Sequence, residues 1–236
     1  MSDPVLELAN VTAGYGATHV LNNVSLSIKK GERLALIGRN GAGKTSTLAT
    51  AMGLTTLHSG TILLRGEDVS RQKPFQRARK GLGLVPQTRD IFASLSVEEN
   101  LIAGAMGHEA DLDQAYTLFP RLAERKRNGG AQLSGGEQQM LAIARTLMGK
   151  PEIILLDEPL EGLAPVICEM LMEVFEKLAN ADQTLVLVAQ HADVAIDFAD
   201  NVVILDAGRV AWSGSASEVK TRPDLIERHI GMALHN

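Results

Sequence analysis

The apolar residues of this chain fall into short runs separated by stretches of helical periodicity, the pattern of an α/β fold with a largely parallel sheet. Near the N-terminus Val24, Leu26 and Ile28 alternate with Ser25 and Ser27, which predicts a half-exposed strand among N-terminal antiparallel strands. Three continuous runs, Arg33 to Gly38, Glu152 to Asp157 and Thr184 to Gln190, predict central strands covered on both faces. Between Val166 and Leu178 the residues Val166, Ile167, Met170, Leu171, Val174 and Leu178 follow helical spacing. Val202 to Leu205 predicts another strand, and Asp206, Ala207 and Gly208 then turn the chain into one ending near Trp212. From Thr88 to Met148 the pattern is helical with almost no strand signal. The expectation is one domain, 1–236, whose core (1–87 and 149–236) carries an inserted helical subdomain (88–148).

Bulk properties narrow this little. Hydrophobic residues make up 45% and charged residues 22% of the 236, ordinary values for a globular domain. A net charge of -5 speaks against broad nucleic-acid binding, which needs a basic surface. Cys168 is the only cysteine, so no internal disulfide and no multi-cysteine zinc site can form. The first residues lack the basic and apolar regions of an export signal, and no apolar run approaches the ~20 residues of a membrane span. Work at a membrane is therefore expected to go through a partner.

The sharpest chemistry lies at Gly38-Arg39-Asn40-Gly41-Ala42-Gly43-Lys44-Thr45, a full match to the phosphate-binding loop, set between a predicted strand and a predicted helix start. Glycines let the loop curl so that successive backbone N–H groups point at phosphate oxygens, and the helix N-terminus adds partial positive charge. Gly38 to Thr45, with Ser46 behind them, are the expected nucleotide contacts; Lys44 reaches the β- and γ-phosphates and Thr45 holds Mg²⁺. A ligand-free glycine turn is the plain alternative, and the loop alone does not separate kinases, GTPases, helicases and transporters.

Leu133-Ser134-Gly135-Gly136-Glu137-Gln138 does separate them. Locally, Ser134 and Glu137 form a capping box that opens a helix through Met140, Ile143 and Leu147. A capped helix start whose first turn is glycine is also an exposed anion site. This LSGGEQ stretch resembles the signature of the ABC-transporter ATPases, and the remaining motifs of that family follow in order. Ile153 to Glu158 resembles the Walker B strand, which implies Asp157 in the Mg²⁺ shell and Glu158 as the catalytic carboxylate. Gln87 resembles the glutamine that touches Mg²⁺ and the attacking water, His191 the switch histidine, and Tyr15 the aromatic residue stacked on adenine. Taken singly, Gln87 reads as a loop glutamine, His191 as a structural histidine and Tyr15 as packing.

The resemblance runs from about Val5 to Gly214 and implies a P-loop NTPase core, ATP with Mg²⁺ as ligands, and hydrolysis across a dimer. In that arrangement Ser134, Gly135 and Gly136 of a second ATPase subunit, a paralogue or another copy, cap the γ-phosphate. It implies membrane subunits as partners, docked on the helical subdomain next to Gln87, a periplasmic binding protein indirectly, and a place on the inner face of the cell membrane. One departure stands out: Ala164 occupies a position where many relatives carry an aspartate that bridges to the opposite subunit. The stretch Glu161-Gly162-Leu163-Ala164-Pro165 in a short, cysteine-poor chain is similar to the second ATPase of bacterial branched-chain amino-acid importers. Similar ATPases serve urea or amide uptake, and lipopolysaccharide export is more distant. A soluble ABC ATPase of DNA repair or translation would bring a coiled-coil insertion or tandem cassettes. A small-substrate kinase would lack the signature, and a regulatory module that had lost catalysis would not keep Lys44, Asp157, Glu158 and His191 together.

Overall fold

A computed structural model describes residues 3–189 and 192–231. The chain opens with the hairpin β1 (Pro4–Tyr15) and β2 (Thr18–Lys29), then β3 (Arg33–Gly38) and α1 (Lys44–Met52). Next come β4 (Thr56–Leu64), β5 (Glu67–Asp68), α2 (Pro74–Arg79) and β6 (Leu82–Val85). Residues 88–148 then add no strand to either sheet: they form α3 (Val97–Gly104), α4 (Leu112–Leu118), α5 (Pro120–Glu124), a 3-10 turn and α6 (Gly135–Met148). The order ends with β7 (Ile153–Asp157), α7 (Pro165–Asn180), β8 (Thr184–Val188), α8 (Ala192–Phe198), β9 (Asn201–Asp206), β10 (Arg209–Ser215), α9 (Ala216–Lys220) and α10 (Pro223–Ile230).

The strands make two sheets, an antiparallel one in the order β2-β1-β4-β5 and a larger one in the order β10-β9-β3-β8-β7-β6. In the larger sheet β9, β3, β8, β7 and β6 are parallel, and only β10 runs antiparallel, at the edge. Side chains alternate across a strand, so a strand buried on both faces feeds two cores. Ala35, Ile37, Ile154, Leu156, Leu185 and Leu187 face the core closed by α6, α7 and α8. Leu34, Leu36, Ile153, Leu155, Val186 and Val188 face the other core, where α1 and the antiparallel sheet pack. This double burial explains why β3, β7 and β8 read as unbroken apolar runs.

Two features depart from the patterning. Val166, placed with the apolar face of α7, is 66% exposed, and burial begins deeper in that helix, at Leu171, Val174, Phe175 and Leu178. Val166 lies one residue past the Pro165 that starts the helix, before α7 reaches the sheet. β1 gives no clean alternation because it carries an extra residue against β2 between Pro4 and Leu6 and another between Leu8 and Val11. Each bulge swaps the faces that follow it, so Val5, Leu6, Leu8, Val11 and Ala13 are all buried.

Candidate functional site

β3 is the central strand that ends in the phosphate-loop sequence, and α1 starts six residues after it at Lys44. Gly43, at the N-cap, has φ 105°, and a Cβ there would lie 2.8 Å from Leu21 Cδ2. The loop closes on itself through Ala42 N–H donating to the Arg39 carbonyl at 3.0 Å. No acidic residue lies in the first turn of α1 and no side chain caps it, so its leading N–H groups remain available to an anion. Lys44 is buried at 5% exposure and folds over the loop, its Nζ donating to the carbonyls of Gly38 at 3.0 Å and Arg39 at 3.3 Å.

β7 brings the acids to the same place. Thr45 Oγ1 donates to Asp157 Oδ1 at 3.1 Å, joining the start of α1 to the end of β7. Asp157 is 4% exposed, and burial pushes its carboxyl above the usual range, with the Thr45 hydrogen bond opposing. Glu158 follows at φ 47°, with Oε1 4.0 Å from Lys44 Nζ. Burial raises its carboxyl too, and the neighbouring charge of Glu161 adds to the effect. Gln87 reaches over from the loop after β6. Its Nε2 donates to Glu161 Oε2 in a short hydrogen bond, and to Glu158 Oε2 at 3.4 Å.

A cavity of about 300 Å³ is lined by Val20, Asn40, Gly41, Gly43, Lys44, Thr45, Ser46, Gln87, Glu158 and Glu161, while Gly38, Arg39, Ala42 and Asp157 are not part of its lining. A larger open groove of about 640 Å³ lies between β2 and β9, but its only charged lining residues are Glu7, Lys29 and Glu32. The chemistry is in the smaller one. At its edge the pair Thr45 and Asp157 fits Mg²⁺: a hydroxyl and a carboxylate oxygen stand side by side, and the carboxylate is buried where ionisation is costly without a cation. Among the described residues no three His, Cys, Asp or Glu side chains form a metal cluster of their own.

Not every residue singled out in the sequence borders this cavity. Tyr15 is 52% exposed at the tip of the β1–β2 hairpin and stands outside the lining. Ser134, Gly135 and Gly136 are also outside it, on the exposed start of α6. There Ser134 Oγ accepts from Glu137 N–H at 3.3 Å while Ser134 N–H donates to Glu137 Oε2 at 2.8 Å. The bond from the Ser134 N–H holds the Glu137 carboxyl below its usual range. The turn is fixed by its own cap, with glycine at the first two helical positions. His191 lies outside the described residues. The patterning missed Glu161 and Val20. For Glu161 a signal existed, a third acid four residues after Asp157; for Val20 there was none.

The chain resembles known proteins over nearly its whole length. The family model described as ABC transporter matches residues 21–161. A high-affinity branched-chain amino acid transport ATP-binding protein of Pseudomonas aeruginosa is 39% identical over 232 residues, covering 96% of this chain and 100% of that protein. A probable branched-chain amino acid transport ATP-binding protein of Archaeoglobus fulgidus is 37% identical, covering 91% of this chain and 94% of its own length. Among solved structures, an ATP-binding cassette captured as a dimer with ADP and phosphate matches with a TM-score of 0.79 at 27% identity, covering 89% of this chain and 98% of that one. With the loop, the buried acids and the capped glycine turn in the places described, these matches lead to one assignment: the chain belongs to the ABC transporter family.

Proposed function

We propose that this chain is the ATP-binding and ATP-hydrolysing subunit of an importer for branched-chain or other hydrophobic amino acids, working as half of a two-site dimer on the inner face of the membrane. The names of the two relatives support the cargo, which the chain itself does not contact. Among the described residues no helix is long and apolar enough to cross a membrane, which is in keeping with attachment through membrane subunits. Residues 88–148, next to Gln87, are the segment we assign to docking them, with a periplasmic binding protein acting further out.

The hydrolytic reading rests on the cavity. Lys44, the α1 N-terminus and the loop amides of residues 38–46 bind the phosphates, with Tyr15 near the base. Thr45 and Asp157 would hold Mg²⁺, which would supply charge neutralisation on the phosphates. Glu158 orients the attacking water and draws its proton, a role that suits a carboxylate whose affinity for protons is raised by burial. Gln87 and His191 are assigned to the water, the metal and the γ-phosphate.

Support for the dimer comes from the exposed, self-capped glycine turn at the start of α6, whose Ser134, Gly135 and Gly136 take no part in lining this chain's cavity. A partner's turn closes this cavity, and this chain's turn closes the partner's. Ser134→Arg tests it: a long cation on the exposed cap should leave nucleotide binding by the isolated chain intact and stop turnover. Loss of binding itself would show that the turn serves the chain's own site.

A further inference from the structure

Gln87 is bound to carboxylates in a way that the assigned role does not use. A glutamine side chain meets a cation through its oxygen and a carboxylate through its NH₂ group. Here the NH₂ group is engaged, by Glu161 in a short hydrogen bond and by Glu158 at 3.4 Å. Glu161 sits in the loop between β7 and α7, where its N–H donates to the Glu158 carbonyl at 3.1 Å, and its exposed carboxylate also borders an apolar cavity of about 470 Å³ beside α7. Among the described residues no lysine or arginine is paired with it. The contact therefore joins the loop after β6, which leads into the helical segment, to the loop that opens α7.

We propose that Glu161 is a positioning residue: it holds Gln87 by the amide nitrogen in a resting orientation and must release it before Gln87 can turn its oxygen to the metal and water. This rests on the nucleotide site proposed above. An interaction present at rest and broken in the transition state lowers kcat/KM, so removing it raises kcat/KM. A hydrogen bond to a carboxylate at a partly exposed site corresponds to a change of about three- to tenfold.

Steady-state ATPase assays of the full chain with Mg²⁺ would compare Glu161→Leu, Glu161→Gln, Gln87→Ala and the double variant Gln87→Ala/Glu161→Leu. Glu161→Leu should raise kcat/KM by about three- to tenfold, chiefly through KM, and Glu161→Gln, which keeps an acceptor oxygen, should fall between it and the parent. In the Gln87→Ala background the gain should vanish, since nothing is left to hold. A gain of equal size there would overturn the proposal, because Glu161 would then be acting by its charge on the phosphates or on Glu158. So would a fall in kcat/KM for Glu161→Leu. A readout independent of turnover is the ¹⁵N-correlated NMR signal of the Gln87 side-chain amide, assigned by its loss in Gln87→Ala. It should move on Glu161→Leu without nucleotide, and in the parent on adding Mg²⁺ with a non-hydrolysable ATP analogue. A signal that moves in neither case contradicts the latch. A parent chain that fails to bind the analogue at all contradicts the site reading instead.

Discussion

Gly43→Ala probes how tightly the phosphate loop is specified. Gly43 has φ 105° at the N-cap of α1, a backbone conformation that L side chains rarely adopt, which costs about 1–3 kcal/mol for a residue with a Cβ. The new Cβ would also lie 2.8 Å from Leu21 Cδ2, closer than real Cβ contacts come, with the Gly208 Cα at 3.6 Å behind it. Leu21 is fully buried, so it cannot swing into solvent, and shifting it adds about 1 kcal/mol or more. The expected loss is about 2–4 kcal/mol of unfolding free energy, the sum of those two contributions. Gly66 is the control: it has φ 77°, and a Cβ there meets nothing within 4 Å, so Gly66→Ala should cost only the backbone part. Urea unfolding of both variants separates strain from packing. Relief of the strain would displace Lys44, the next residue, so Mg²⁺-ATP affinity measured by calorimetry should fall about tenfold or more for Gly43→Ala and stay unchanged for Gly66→Ala. If Gly43→Ala cost no more than Gly66→Ala and bound nucleotide normally, neither the contact with Leu21 nor the loop's conformation would depend on glycine at this position.

Ala164 is the N-cap of α7 at φ -65° and ψ 146°, is exposed, and offers no side-chain cap, so Ala164→Asp should stabilise the chain by about 1 kcal/mol in urea unfolding. No gain would mean the cap geometry is already satisfied by other means. The pH dependence follows from Asp157, whose carboxyl is raised by burial. A raised acid supports the fold fully below the ordinary aspartate range, about pH 4, and that support is lost as pH rises through its elevated value. Asp157→Asn should therefore stabilise the nucleotide-free chain at neutral pH and give no advantage in acid below that range, while abolishing Mg²⁺-dependent turnover. A constant difference at all pH values would sink this assignment.

What could be read from the sequence was what burial or covalent spacing enforces. β3, β7, β8 and β9 are continuous apolar runs because both of their faces are covered, and Gly38 to Thr45 follow β3 directly. β1 was hidden because its bulges and the positive φ of Asn10 break the two-residue period. Val166 shares the helical spacing of α7, but its place at the helix start leaves it in solvent. Glu161 and Val20 join the cavity only because the turn after Glu158 and the hairpin from β2 fold over the loop, which no linear spacing specifies. The placement of Ser134 outside the cavity lining is likewise a matter of three-dimensional folding.

If ATP joins two incomplete half-sites, Glu158→Gln should trap the joined state. Removing the carboxylate that orients water should leave nucleotide binding intact while stopping the step that separates the subunits. Size-exclusion chromatography with light scattering, run with Mg²⁺-ATP, should then report a mass about twice that of the chain, returning to the monomer value when nucleotide is withdrawn or when Ser134→Arg is added. A Glu158→Gln chain that binds ATP fully, remains a monomer and still hydrolyses it would show that neither this carboxylate nor a dimer is needed for turnover.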